Sequence, residues 1–149
     1  MKAENFAATY IVIAGLLSFG GVSTLRADAP LGRYTTSADT VLDTKTRLTW
    51  QRALPAQAYS QAAGISYCSS LALSGGGWRL PTVMELQSLV DDTRASPAID
   101  PDAFPGTPSE RFWTSSIPGS GNGWYVSFGK GDSGGQPGTQ LFRVRCVRS

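Results

Sequence analysis

The stretch LSGGGWRLPTVMELQSLVDD, residues 73–92, decides how this chain is read. Three glycines, Gly75–Gly77, close whatever precedes them. Trp78, Arg79 and Leu80 are expected to run extended, because Leu80 precedes Pro81 and the residue before a proline avoids the helical region. Thr82 and Glu85 stand at T-x-x-E spacing, in which hydroxyl and carboxylate each satisfy a free amide of the other at a helix start. Val83, Leu86, Leu89 and Val90 then recur at i, i+3, i+6 and i+7, giving the helix one apolar face.

Upstream, VLDTKTRLTWQR (41–52) predicts a hairpin: Val41 and Leu42, a polar turn at Asp43–Thr46, then Leu48 and Trp50 alternating with Arg47, Thr49 and Gln51. Pro55 is placed at the start of a first helix running to about Leu73, with Tyr59, Ala62, Ala63, Ser66, Tyr67 and Leu71 on one side. Gly64 inside it costs about 1 kcal/mol against alanine. Downstream, residues 91–111 carry four prolines and read as irregular. Three short strands follow, RFWTSS (111–116), GWYVSFG (123–129) and LFRVRCVR (141–148). In the second, Trp124, Val126 and Phe128 share a face, and Tyr125 faces the other way as a surface candidate. In the third, Phe142, Val144 and Cys146 share a face opposite Arg143 and Arg145. Trp50 and Trp124 are taken as core. Hairpin, two helices, a long irregular region and antiparallel strands make an α+β fold with short antiparallel sheets, not alternating β-α-β.

The chain has 149 residues, 41% hydrophobic and 10% aromatic, which suits one globular domain. Seventeen glycines and nine prolines fit a loop-rich fold. A net charge of +2 gives no basis for a nucleic-acid partner. Lys2, the apolar run Phe6–Val22 and Ala27-Asp28-Ala29 read as a signal peptide over residues 1–29, with an uncleaved membrane anchor as the alternative. Residues 30–39 are then a leader, 40–149 the domain, and the site of action periplasmic, cell-surface or extracellular. Membrane contact is expected only through an uncleaved N-terminal segment. In an oxidising compartment Cys68 and Cys146 are expected to pair across 78 positions, two unpaired buried thiols being the alternative.

The segment GKGDSGGQPG (129–138) spells a serine-protease loop, yet the chain contains no histidine to act as base. Gly134-Gly135-Gln136-Pro137-Gly138 offers no helix for a nucleophile elbow or a dinucleotide site. Ser133 is therefore read as part of a flexible connection between strands. Zinc has no ligand set. Asp91, Asp92, Asp100 and Asp102 fit no EF-hand spacing and are taken as solvated turn residues rather than a calcium site. Glu85 is explained by its cap. No catalytic residue, metal or cofactor is assigned. Lys130, Arg143, Arg145 and Arg148 against Asp132 make the C-terminal part basic. That is read as internal pairing with carboxylates, a basic strip for anionic polymers being the other reading.

Taken together, VLDTKTRLTWQR, SYCSSLALSGGGWRLPTVMELQSLVD, PAIDPDAFPGTPSERFWTSS and GWYVSFGKG with FRVRCVR resemble the bacterial Lcl C-terminal-domain family over about residues 40–148. The resemblance implies a C-type-lectin-like fold related to the formylglycine-generating-enzyme and sulfatase-modifying-factor group. It implies Cys68–Cys146 as the fold's disulfide, Trp78-Arg79-Leu80-Pro81 as a core motif, and residues 117–140 as display loops. Trp50, Thr82, Glu85, Trp113 and Trp124 join that structural set. Members of the family are typically exported, some as adhesins for sulfated polysaccharide. The chain departs from the oxidase group, whose active site uses a cysteine pair, and it lacks the E-P-N, Q-P-D and W-N-D triplets of calcium-dependent lectins. The expectation is an exported, non-enzymatic binding module for a polysaccharide or surface protein, with Arg111, Tyr125, Lys130, Asp132 and Gln136 as candidate ligand-binding residues. The alternative is a structural envelope component that self-assembles as a homo-oligomer.

Overall fold

The computed structural model describes residues 32–117, 119 and 121–149, so the reading of residues 1–29 as a signal peptide lies outside the described residues. The expected hairpin forms from β2 (Thr40–Asp43) and β3 (Thr49–Gln51), with Val41 opposite Trp50. Asp43 shapes the turn, its carboxylate accepting from the Lys45 and Thr46 amides at 3.0 and 3.4 Å. Burial raises the pKa of that carboxyl, but the Arg33 guanidinium at 2.8 Å, together with the Lys45 and Thr46 donors, outweighs burial and leaves it below the usual range. The supposed leader is not bare: β1 (Tyr34–Thr36) pairs antiparallel with β2 and extends the sheet.

The first helix, α1 (Gln61–Ser70), is shorter than predicted and turned about its axis. Ser60 caps it by accepting from the Ala63 amide, while Tyr59 is held outside by paired backbone hydrogen bonds with Phe142. Its buried residues are Gln61, Gly64 and Cys68, whereas Ala62, Ala63 and Ser66 of the expected face are exposed. Small side chains gave the periodicity too little contrast to fix the phase. Gly64 is there for closeness: a Cβ would stand 2.8 Å from Val144 Cγ1. The second helix, α2 (Val83–Gln87), has the predicted capping box. Leu86 and Leu89 are fully covered, and Val83 and Val90 pack beside them.

The remaining strands are β4 (Arg111–Trp113), β5 (Gly123–Ser127), β6 (Ser133–Gln136) and β7 (Val147–Arg148). One antiparallel sheet runs β1-β2-β3-β7 and the other β4-β5-β6. The fold is α+β: two helices, two small antiparallel sheets and one disulfide between Cys68 and Cys146, whose Cα atoms lie 5.4 Å apart. Among the described residues no helix is long and apolar enough to cross a membrane.

Several expectations fail here for identifiable reasons. The predicted strand 141–148 breaks into single bridges at Phe142 and Arg143 before β7. Residues 141–147 are shared among both sheets and the helices, and no one ladder claims them. The GDSGG segment is not a flexible connection, because β6 pairs with β5 from Val126↔Ser133 to Gly123↔Gln136. Trp124 is only half-buried and belongs to neither core cluster, while Tyr125 is 8% exposed. The cause is that β5 lies between two cores. Val126 faces α2, Leu86 and Phe112 on one side; Tyr125 joins Trp113, Trp78 and the disulfide on the other. Arg145, expected on the polar face, is 0% exposed because its segment also runs between the two cores, Val144 and Cys146 in one and Val147 in the other.

The irregular region is tightly held although it has no regular element. Ala98 donates to Phe128 O at 2.7 Å, and Ile99 and Phe104 are fully buried. Asp100 accepts from the Asp102 and Ala103 amides, a turn role.

Candidate functional site

Register on the second sheet assembles the site. Arg111 of β4 lies opposite Ser127 of β5, and the Ser127 amide donates to Asp132 O at 2.8 Å just before β6. Directly opposed residues on one face stand about 5 Å apart. Arg111, Ser127 and Asp132 therefore form one row across three strands. Ser109, Glu110, Gly129 and Lys130 complete a shallow cleft of about 310 Å³ around it. Gly129 lets the backbone close in: a Cβ there would stand 3.2 Å from Ser109 O.

The cleft is polar, and the cations in it and beside it are differently committed. Arg143 donates to Glu110 Oε2 at 2.9 Å and to Ala56 O at 2.8 Å. Arg111 is exposed and has no ion pair among the described residues. Its guanidinium instead lies over the Tyr125 ring at 4.8 Å and the Phe142 ring at 5.7 Å. Such stacking holds an arginine plane in place while leaving its N–H groups for an incoming acceptor. Lys130 and Asp132, both exposed, rim the same cleft.

Of the five candidate ligand residues, the structure brings together Arg111, Lys130 and Asp132. Tyr125 sits beneath them as the platform under Arg111 instead of as a contact residue. Gln136 is at the far end of β6, opposite Gly123 and away from the cleft. Ser109, Glu110 and Ser127 were missed. Only Ser127 had a signal, its parity with Tyr125 in GWYVSFG, and using it requires the register of β4 and β6.

The C-terminal arginines do not form a strip. Arg145 donates to Gln51 O at 2.6 Å, Arg52 O at 2.9 Å and Thr107 Oγ1 at 2.7 Å, and lies 4.7 Å over the Phe104 ring. Burial without a carboxylate pushes its pKa down to about 9. Arg148 donates to Ser74 O and Gly76 O and stacks on Trp78 at 4.9 Å. Internal engagement is thus the outcome, but among the described residues only Arg143 of the three meets a carboxylate; Arg148 meets carbonyls, and Arg145 carbonyls and a hydroxyl.

The remaining structural candidates act as scaffolding. Trp50 and Trp113 are fully buried, Trp78 and Leu80 nearly so, and Pro81 is buried. Arg79 clamps Glu85 through two hydrogen bonds at 2.8 and 2.7 Å. Asp91 bonds to Thr93 and Arg94. Among the described residues no group of three or more His, Cys, Asp or Glu is placed to hold a metal ion. Ser133 is exposed on β6.

The Lcl C-terminal domain is the family whose model matches the chain, over residues 39–148. The chain belongs to that family. The matched span begins just before β2 and ends on β7, so it holds both sheets but for β1, together with both helices and the disulfide. Comparison with curated proteins and with solved structures yields no match to this Lcl C-terminal domain chain.

Proposed function

We propose that this Lcl C-terminal domain is an exported, non-enzymatic binding module that takes an acidic polysaccharide in the cleft at Arg111. One observation carries the reading: a guanidinium held over two aromatic rings, without an ion pair among the described residues, in one row with a hydroxyl and a carboxylate. Arg111 suits a sulfate or carboxylate group, Lys130 adds a second cation, and Ser127 with Asp132 suits sugar hydroxyls. The domain is C-type-lectin-like, related to the formylglycine-generating-enzyme group, and its N-terminal segment is a signal peptide. It acts at the cell surface as an adhesin. A catalytic role has no support in the chemistry: the chain has no histidine, and Glu85 is occupied by Arg79 and the Thr82 amide.

The test is binding to a panel of neutral and sulfated polysaccharides at two salt concentrations. Binding is expected to the sulfated members, weaker at high salt, and reduced about tenfold by Arg111→Ala with the unfolding midpoint unchanged. Equal binding of neutral polymers, or an Arg111→Ala variant that binds as well as the parent, refutes the siting.

A further inference from the structure

The second sheet has one open edge. Among the described residues β6 pairs with β5 alone. Trp124 turns its peptide groups toward β4, donating to Ser116 O and accepting from Thr114, while Ser127 donates to Asp132 O. Antiparallel alternation then aims the peptide groups of Asp132, Gly134 and Gln136 at β5, and those of Ser133 and Gly135 outward. Among the described residues neither Ser133 nor Gly135 has a backbone hydrogen bond outside the β5–β6 ladder, and both are exposed. Exposed edges are usually blunted by lysine, proline, a bulge or a covering segment. Ser133-Gly134-Gly135-Gln136 itself has no lysine or proline, Lys130 and Pro137 standing just outside it and bounding the open edge to these four residues, and its register with β5 is unbroken.

We infer that β6 is a self-association edge, at which a second copy of this chain adds its own β6 antiparallel about a two-fold axis through Gly134. In that register Ser133 of one copy faces Gly135 of the other, and the outward groups make four backbone hydrogen bonds. Gly134 meets its own copy at the axis, a non-hydrogen-bonded position where Cα atoms approach to about 4.5 Å. Asp132 of each copy faces Gln136 of the other on the same side of the sheet. The carboxylate accepts from the side-chain amide there, twice by symmetry. An unrelated extended peptide could form the ladder but would not supply both of these side-chain pairs, which is why a second copy is the occupant. The joined molecule has a continuous six-stranded sheet. Asp132 is shared with the cleft, but the association needs no polysaccharide, and failure of polysaccharide binding leaves it standing.

The experiment is sedimentation of the full chain, disulfide intact, across a wide concentration range. A monomer–dimer equilibrium is expected. Gly135→Pro removes an outward N–H, and with it one hydrogen bond, from each copy and weakens it tenfold or more. Gln136→Lys sets an ammonium opposite Asp132 and tightens it, whereas Asp132→Lys combined with Gln136→Lys sets like charges opposite each other and dissociates it. These two variants keep the test valid if Gly135→Pro does not fold. A monomer at every concentration, or association indifferent to the charge variants, overturns the inference. Contact through the apolar N-terminal run would give that second result.

Discussion

Glu85→Gln tests the segment that organises the fold. Arg79 donates to both Glu85 oxygens and the Thr82 amide donates to one of them at 2.8 Å. The Arg79 hydrogen bonds, against a smaller opposing effect of burial, hold the Glu85 carboxyl at about 2, down from an ordinary 4.5. Fully realised, that difference is about 3 kcal/mol. The Glu85 side chain is 22% exposed and Arg79 44%, so solvent screening reduces the expected loss to about 2 kcal/mol at pH 7. The depressed pKa fixes the sign. The stabilisation is complete above pH 4.5, about half gone near pH 3, and absent below about pH 2. Glu85→Gln has no such titration, so parent and variant converge as the pH falls. Urea unfolding followed by tryptophan fluorescence should show midpoints about 1 M apart at pH 7 and a narrowing gap toward pH 3. A gap constant from pH 7 to pH 3 would refute the electrostatic account and leave Glu85 only a packing role. Arg79→Gln should reproduce the effect, and the double variant should cost little more than either alone.

Two further substitutions test the scaffold. Cys68→Ser opens a 78-position loop and should destabilise by roughly 4–5 kcal/mol in the chain-entropy account. Reduction of the parent by dithiothreitol should lower thermal stability to the same point, and a much smaller drop would show that the surrounding core carries the connection. In Arg145 one nitrogen serves the Gln51 and Arg52 carbonyls and another the Thr107 hydroxyl, so Arg145→Lys, with a single nitrogen, leaves at least one of these acceptors without a donor and should cost about 2 kcal/mol. Chemical denaturation showing less than about 1 kcal/mol would mean that the site relaxes to admit water.

What the sequence determined was local. The T-x-x-E box, the hairpin around Asp43 and the apolar face of α2 are written in residues a few positions apart, where hydrogen-bond reach and helical periodicity leave few alternatives. The cysteine pair was legible from count and compartment. The Arg-Cys-Val terminus and the WRLPT motif were legible as a family resemblance. Neither cue says which face of a residue is covered.

Tertiary structure decided the rest by setting one element against another. Two-residue periodicity assumes one dry and one wet face, but β5 carries core on both, Val126 on one and Tyr125 on the other, so Tyr125 became a buried platform while Ser127 of the same face reaches the cleft. Arg145 has no local signal of burial: its donors are matched by carbonyls 93 and 94 residues away and a hydroxyl 38 away. The glycine-rich GDSGG segment has weak intrinsic preference, and it became a strand because β5 offered a ladder. The row of Arg111, Ser127 and Asp132 exists only through the pairing of three strands, since residues 16 and 5 positions apart meet by register and not by sequence.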